Sequence, residues 1–303
     1  KGEAYLLPSF LIPFFLSIII SMVIALTGLN FKSISATVTF IWLYGFLLLS
    51  FPFFLSGNAS FIGALFESIS GLTTTGLSIL DVDNLPKTLH LYRAMMILLF
   101  FKGREESQLY EAEGHMDRVK PSIRKTAKTI TLLYLAFLVL GIFEYRIVGM
   151  SLLDSCIHAM CSLSTGGFSS RATSIGAYNS LGVEIITSQL MILGTFDFSL
   201  LLTLFSGRIR DFFHSTEIKT FFSLLLTLSG IMALILIAKG YGFSSTLRVT
   251  LFNALSALST TGFSTLDYRS LPEEAIFILI MLMVVGGGMG STAGGIKLER
   301  FNI

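Results

Sequence analysis

The stretch SGLTTTGLSIL, Ser70 to Leu80, lies between two apolar runs of membrane length, where more leucine would be the ordinary filling. Its core, LTTTGLS at 72–78, returns as LSTGGFS at 163–169 and as LSTTGFS at 258–264, so Gly76, Gly167 and Gly262 follow one another at intervals of 91 and 95. A string that recurs at nearly constant spacing marks one structural unit repeated three times. Nine residues before each glycine stands a polar side chain, Glu67, His158 or Asn253, in an otherwise apolar segment. Each copy therefore reads as long helix, short helix, Thr/Ser-Gly loop and second helix.

Composition agrees with a bilayer setting: 303 residues, 53% hydrophobic, 13% charged, mean hydropathy +0.77. A net charge of +2 without long runs of one sign leaves no nucleic-acid footprint. Cys156 and Cys161, without metal-ligand spacing, read as ordinary buried thiols. The opening KGEAYLLPSFLIPFFLSIIISMVIAL is too long for a signal-peptide core and lacks a small-residue cleavage site, so it reads as a mature spanning helix with no targeting segment.

About 20 apolar residues cross roughly 30 Å of hydrocarbon. Ala4–Thr27, Ala36–Leu55, Ile130–Val148, Ile185–Phe205, Phe221–Ala238 and Ala275–Val285 with its continuation are the expected spans. Ser60–Leu72, Leu152–Leu163 and Thr246–Leu258 are too short and are expected to enter the membrane and turn back. The division this predicts is a leading helix (1–30), unit 1 (31–101), a connector (102–124), unit 2 (125–207) and unit 3 with a broken second helix (208–303). Lys102, Arg104, Arg118, Lys120, Arg124, Lys125 and Lys128 in one connector, and Arg208, Arg210, His214 and Lys219 in the next, place both in the cytoplasm. The Thr-Gly loops then open toward the outer side.

Irregular backbone at membrane depth must be received by protein or by a water-filled cavity. A glycine that takes φ > 0 lets consecutive carbonyls turn the same way, and several such loops about an axis form rings of oxygen ligands for an alkali cation. Short helices aiming their C-terminal ends at that path add to the preference for cations. The plainer alternative is that the glycines only cap the short helices. His158 has no Ser or Cys partner at readable geometry and reads as a packing or hydrogen-bonding residue, as do Glu67 and Asn253 at the matching places.

A second unusual string, VVGGGMGSTAGGIKLER at 284–300, departs from a phosphate loop in its lysine spacing and in following an apolar helix. It arrives too soon after Gly262 to be a further unit, so it must interrupt the second helix of unit 3. A mobile loop acting as a gate, with Lys297 as a fixed positive charge, is one reading; a small-residue packing surface is the other.

With FESISGLTTTG, HAMCSLSTGGFSS, NALSALSTTGFSTLD, GGGMGSTAGGIK and the connector GREESQLYEAEGHMDRVKP in order, the chain resembles the Trk/Ktr/HKT superfamily of potassium transporters, most of all its bacterial and archaeal Trk-type membrane subunits. The resemblance implies an all-α, multi-pass protein of the cytoplasmic membrane, with helix–pore loop–helix units in a pseudo-fourfold arrangement like that of a potassium channel. It implies a filter at Thr74, Thr75, Gly76, Thr165, Gly166, Gly167, Thr260, Thr261 and Gly262. It also implies a gating loop at Gly286, Gly287, Gly288, Gly290, Ser291, Thr292, Gly294, Gly295 and Lys297. A homodimer on a cytosolic nucleotide-binding regulatory subunit (TrkA/KtrA-like) and no cofactor, with K+ as the permeating ion, complete the implication.

Two departures from the family pattern stand out. Only LERFNI follows Lys297, so the fourth unit is not in this chain, and RAMMILLF runs straight into FKGREESQ where a Gly-rich remainder is expected. The function expected is channel-like uptake of potassium, with sodium as a second candidate ion, and no enzymatic chemistry. The alternatives are an ion-coupled symporter and, should the fourth unit be absent from the gene, a non-conducting scaffold.

Overall fold

The computed structural model describes residues 2–27, 34–103 and 123–301. Most of the basic connector, 104–122, lies outside them. The described residues are helical with no strand. In chain order the helices are α1 (Leu7–Thr27), α2 (Ile34–Leu55), α3 (Phe61–Leu72), α4 (Lys87–Gly103), α5 (Ile123–Ile147), α6 (Leu152–Leu163), α7 (Leu181–Thr195), α8 (Phe198–Phe205), α9 (Ile209–His214), α10 (Thr216–Ala238), α11 (Phe243–Leu258), α12 (Glu273–Val285) and α13 (Leu298–Phe301).

Among the described residues, four stretches are long and apolar enough to cross a membrane: Ala4–Val23, Ala36–Leu55, Lys128–Ile147 and Thr216–Ala238. Their outer faces expose large apolar side chains such as Phe14, Phe15, Leu43, Val139, Phe143 and Leu234. Such continuous apolar surface suits hydrocarbon rather than water. The short helices α3, α6 and α11 are instead the most enclosed elements; in α6 every residue from Ile157 to Leu163 is buried. Ser60 and Ser151 start α3 and α6 by accepting hydrogen bonds from Gly63 N–H (3.2 Å) and Asp154 N–H (3.1 Å), satisfying one of the free donors at each helix start. In α11 the cap position is Gly242, without a side-chain bond, and the helix begins earlier.

Packing follows one rule around the molecule. Helix α4 lies against α3 and also against α6 of the next unit; α7 lies against α6 and also against α11. The second helices of units 1 and 2 thus each wedge between their own short helix and the next unit's.

One expected span is corrected. Ile185–Phe205 is two helices, α7 and α8, parted at Phe196 and Asp197. Apolar composition hides the break. The carbonyls of Gly194 and Thr195, which a continuous helix would use internally, accept hydrogen bonds from the glycine-rich loop after α12 instead.

Candidate functional site

The three Thr/Ser-Gly loops have one backbone design. Thr74, Thr165 and Thr260 take φ of 55°, 51° and 56°; two residues on, Gly76, Gly167 and Gly262 take 76°, 69° and 86°, while the residue between keeps negative φ. The N–H groups of Thr75, Gly166 and Thr261 donate to Ser70, Cys161 and Ser256 carbonyls at 2.9, 2.8 and 3.0 Å. Those of Thr74, Thr165 and Thr260 donate to Gly71, Ser162 and Ala257 carbonyls at 3.2, 3.2 and 3.0 Å. This pair of bonds closes a helix end by the Schellman pattern, whose left-handed position is ordinarily glycine. Here it is a β-branched threonine each time, a conformation that costs about 1–3 kcal/mol. The glycines are therefore not the helix caps; they stand two residues beyond the left-handed threonines.

Close approach explains the glycines. A Cβ on Gly76 would sit 2.4 Å from the Gly166 carbonyl oxygen, and one on Gly167 would sit 2.0 Å from that of Thr261. The same contact thus passes from loop 1 to loop 2 and from loop 2 to loop 3. At Gly262, which is exposed, a Cβ meets nothing within 4 Å. Loop 2 alone carries glycine where the others carry threonine, because a Cβ on Gly166 would strike Ile97 of α4 at 2.6 Å.

The polar residues of the short helices hold the outgoing strand of each loop. Glu67 accepts from Ser78 Oγ (2.6 Å) and Ile79 N–H (2.8 Å). His158 Nε2 lies 3.0 Å from Ser169 Oγ, and Asn253 Nδ2 donates to Thr265 Oγ1 at 2.8 Å. All three are fully buried, as is Cys161, while Cys156 is half-buried; both thiols are free.

The glycine-rich loop lies against loops 2 and 3. Thr292 Oγ1 donates to the Leu163 and Gly194 carbonyls (3.2 and 2.9 Å) and accepts from Thr165 Oγ1 at 3.3 Å. Gly294 N–H donates to Thr260 Oγ1 at 2.6 Å. Gly288 N–H and Thr292 N–H reach the freed carbonyls of Thr195 and Gly194 at 2.9 and 3.1 Å. Two glycines face carboxylates: a Cβ on Gly288 would lie 2.1 Å from Glu217 Oε1, and one on Gly290 2.0 Å from Asp197 Oδ2. Lys297, at φ 82°, donates from Nζ to the Ala293 carbonyl within the same loop.

A family model described as TrkH, cation transport protein, matches residues 8–254 and 241–303. The chain belongs to the TrkH family. Among its relatives, the Trk system potassium uptake protein TrkG of Escherichia coli K12 is 31% identical over 284 residues, covering 86% of this chain and 59% of that protein. The Trk system potassium uptake protein TrkH of Halomonas elongata is 30% identical over 276 residues, 83% and 57% of the two chains. The crystal structure of the potassium transporter TrkH from Vibrio parahaemolyticus superposes with a TM-score of 0.81 at 26% identity, covering 90% of this chain and 60% of that one. The chain thus spans somewhat under two thirds of the length of these TrkH-family relatives. The family is one of transporters rather than enzymes.

Three site residues escape a reading of the sequence alone: Arg93, Asp197 and Glu217. Arg93 pairs with Glu67 at 3.3 Å, and Glu217 accepts from Asp197 N–H at 3.2 Å. Their signal is charge within or between apolar helices, which in a membrane protein marks function by default.

Proposed function

We propose that the chain forms three parts of a potassium path, with a single-glycine filter at Thr74–Gly76, Thr165–Gly167 and Thr260–Gly262 and a gate at Gly286–Lys297. The observation that carries this reading is the alternation of φ sign repeated in all three loops. Alternating handedness turns successive carbonyls to one side, where they replace an ion's hydration shell. The open space at Gly262 and the exposure of Thr75 support a pseudo-fourfold arrangement in which a fourth loop packs between loops 3 and 1. The naming of the relatives as potassium uptake proteins supports the choice of ion; sodium is the second candidate. One left-handed glycine per loop implies fewer ordered sites, and so weaker discrimination between these ions, than a long filter has.

The protein lies in the cell membrane with its basic connectors in the cytoplasm, as a homodimer on a cytosolic regulatory subunit. Conduction is channel-like, supported by the pairing of the Glu67 carboxylate with Arg93. A symporter is the second reading, favoured by Asp197 and Glu217 beside the loop. Potassium uptake into liposomes by the protein at its full natural length, wild type beside Gly76→Ser, with sodium and rubidium as competitors, tests the proposal. Selective flux altered by Gly76→Ser upholds the filter. No flux from well-folded protein with its regulatory subunit present moves the scaffold reading ahead.

A further inference from the structure

Arg93 is the largest fully buried side chain among the described residues, and its setting is unusual. Its Nε lies 3.3 Å from Glu67 Oε2, with side-chain exposures of 2% and 0%. Its Nη1 donates to the Ser169 carbonyl at 3.4 Å, and the guanidinium sits 4.1 Å over the centre of the Phe168 ring. Glu67 belongs to unit 1 and holds Ser78 and Ile79, just past Gly76. Phe168 and Ser169 belong to unit 2 and come just past Gly167. One planar group therefore touches the outgoing segment of loop 2 directly and that of loop 1 through Glu67, and His158 continues the chain through Ser169.

Stability alone does not account for such a pair. Removing two charges from water costs several kcal/mol per ion, and buried pairs are often replaceable by apolar side chains without loss. What a guanidinium supplies that leucine cannot is a fork of fixed geometry. Both polar contacts are long, so the position rests on their combination with the ring beneath. The seam between loops 2 and 3 is built otherwise: Gly176 N–H donates to the Ser264 carbonyl (3.0 Å) and Ser264 N–H to Ser174 Oγ (3.2 Å). There the residue in the register of Arg93, seventeen after the loop glycine, is Glu184. It binds Arg248 of α11 at 2.7 and 2.8 Å.

Resting on the transport reading, we propose that Arg93 is a positioning residue for ion selectivity: it sets the spacing of loops 1 and 2, and hence of the carbonyls that a permeating cation meets. Lysine retains the charge but cannot span Glu67, Ser169 and the Phe168 ring together. Breaking the Arg248–Glu184 pair disturbs a seam in the same register without touching a loop contact described above.

The test is competition between rubidium and sodium for flux through the full-length protein in liposomes, for wild type, Arg93→Lys, the double variant Glu67→Gln with Arg93→Gln, Phe168→Leu and Arg248→Gln. The expected result is a fall in preference for rubidium over sodium of roughly threefold to tenfold for the two arginine variants. Phe168→Leu should move it less in the same direction, and it keeps the proposal testable if the arginine variants do not fold. Arg248→Gln should keep the wild-type ratio while lowering thermal stability. A wild-type ratio in the folded Arg93 or Phe168 variants overturns the proposal. So does an equal shift in Arg248→Gln, because selectivity would then merely follow stability. Absence of selective flux in the wild type is a separate result, overturning the transport reading and this proposal with it.

Discussion

The three loops repeat one another, and the three second helices that follow them do not. The loops are near copies, alike in φ to within 5° at the threonine and bound to their short helices in the same order. The second helices are not copies: α4 runs unbroken, the second stops at Phe196 and resumes as α8, and the third gives way to a loop from Gly286 to Lys297. A ring of ligands needs equivalence among its members. A closure needs one member that differs, and a neighbour shaped to receive it; the break between α7 and α8 supplies the two carbonyls that the glycine-rich loop binds.

The sharpest way to break the comparison is to make the loops unequal. Gly167→Ala places a methyl group 2.0 Å from the Thr261 carbonyl oxygen at a φ that alanine resists. Flux should fall below detection, and the midpoint of thermal unfolding should fall with a loss of about 2–4 kcal/mol. Gly262→Ala meets no atom in the chain described, so in the full-length protein it should match Gly167→Ala only if a fourth loop packs there. Flux and thermal unfolding of the two variants side by side decide the point.

A second variant acts on the unequal part alone. Gly290→Ala drives a methyl group against Asp197 and should unseat the proposed gating loop, raising flux several-fold while leaving the potassium-to-sodium ratio unchanged. A changed ratio with unchanged flux would move this loop from gate to filter.

The smallest expected effect lies outside the membrane, where unit 1 is tethered to the chain's start. Glu3 accepts from the Lys87 and Thr88 N–H groups at the start of α4, at 3.0 and 2.8 Å, and from the Thr88 hydroxyl. The Thr88 hydroxyl bond, aided by the backbone donors, holds the Glu3 carboxyl below its ordinary 4.5. A lowered carboxyl value means that the tether is fully present above pH 4.5 and is lost as pH falls through the lower, folded value. The protection of the Lys87 and Thr88 amides, the intrinsic exchange rate at each pH over the observed one, should fall as the pH drops through the Glu3 value, and Glu3→Gln should remove most of that dependence.

Much of the architecture was legible because repetition is legible. The period of the Thr/Ser-Gly strings located all three loops, and an apolar length of twelve residues placed Leu152–Leu163 at its observed bounds. The glycine-rich string reads as a helix interruption by the same spacing argument, since it arrives too soon after Gly262 to be a further unit. The break at Phe196–Asp197 was not legible, because LMILGTFDFSLLLTLF is apolar on both sides and carries a single acid. Nor could Arg93 be assigned to Glu67: the two are 26 residues apart across a loop, and only the wedge of α4 between α3 and α6 brings them together. The left-handed threonines were invisible for another reason. Their residue type argues against the conformation, which the surrounding hydrogen bonds impose.

The borrowed carbonyls of Gly194 and Thr195 carry one last consequence. While the glycine-rich loop is seated, those oxygens and the N–H groups of Gly288 and Thr292 satisfy one another with no solvent between them. When the loop leaves, all four groups face the low-dielectric interior unless water follows at once, and each orphaned group costs on the order of 1–3 kcal/mol. On the proposed gate reading, opening is thus a wetting transition as much as a displacement. Its equilibrium should answer to the activity of water: osmolytes too large to enter should hold the loop in place.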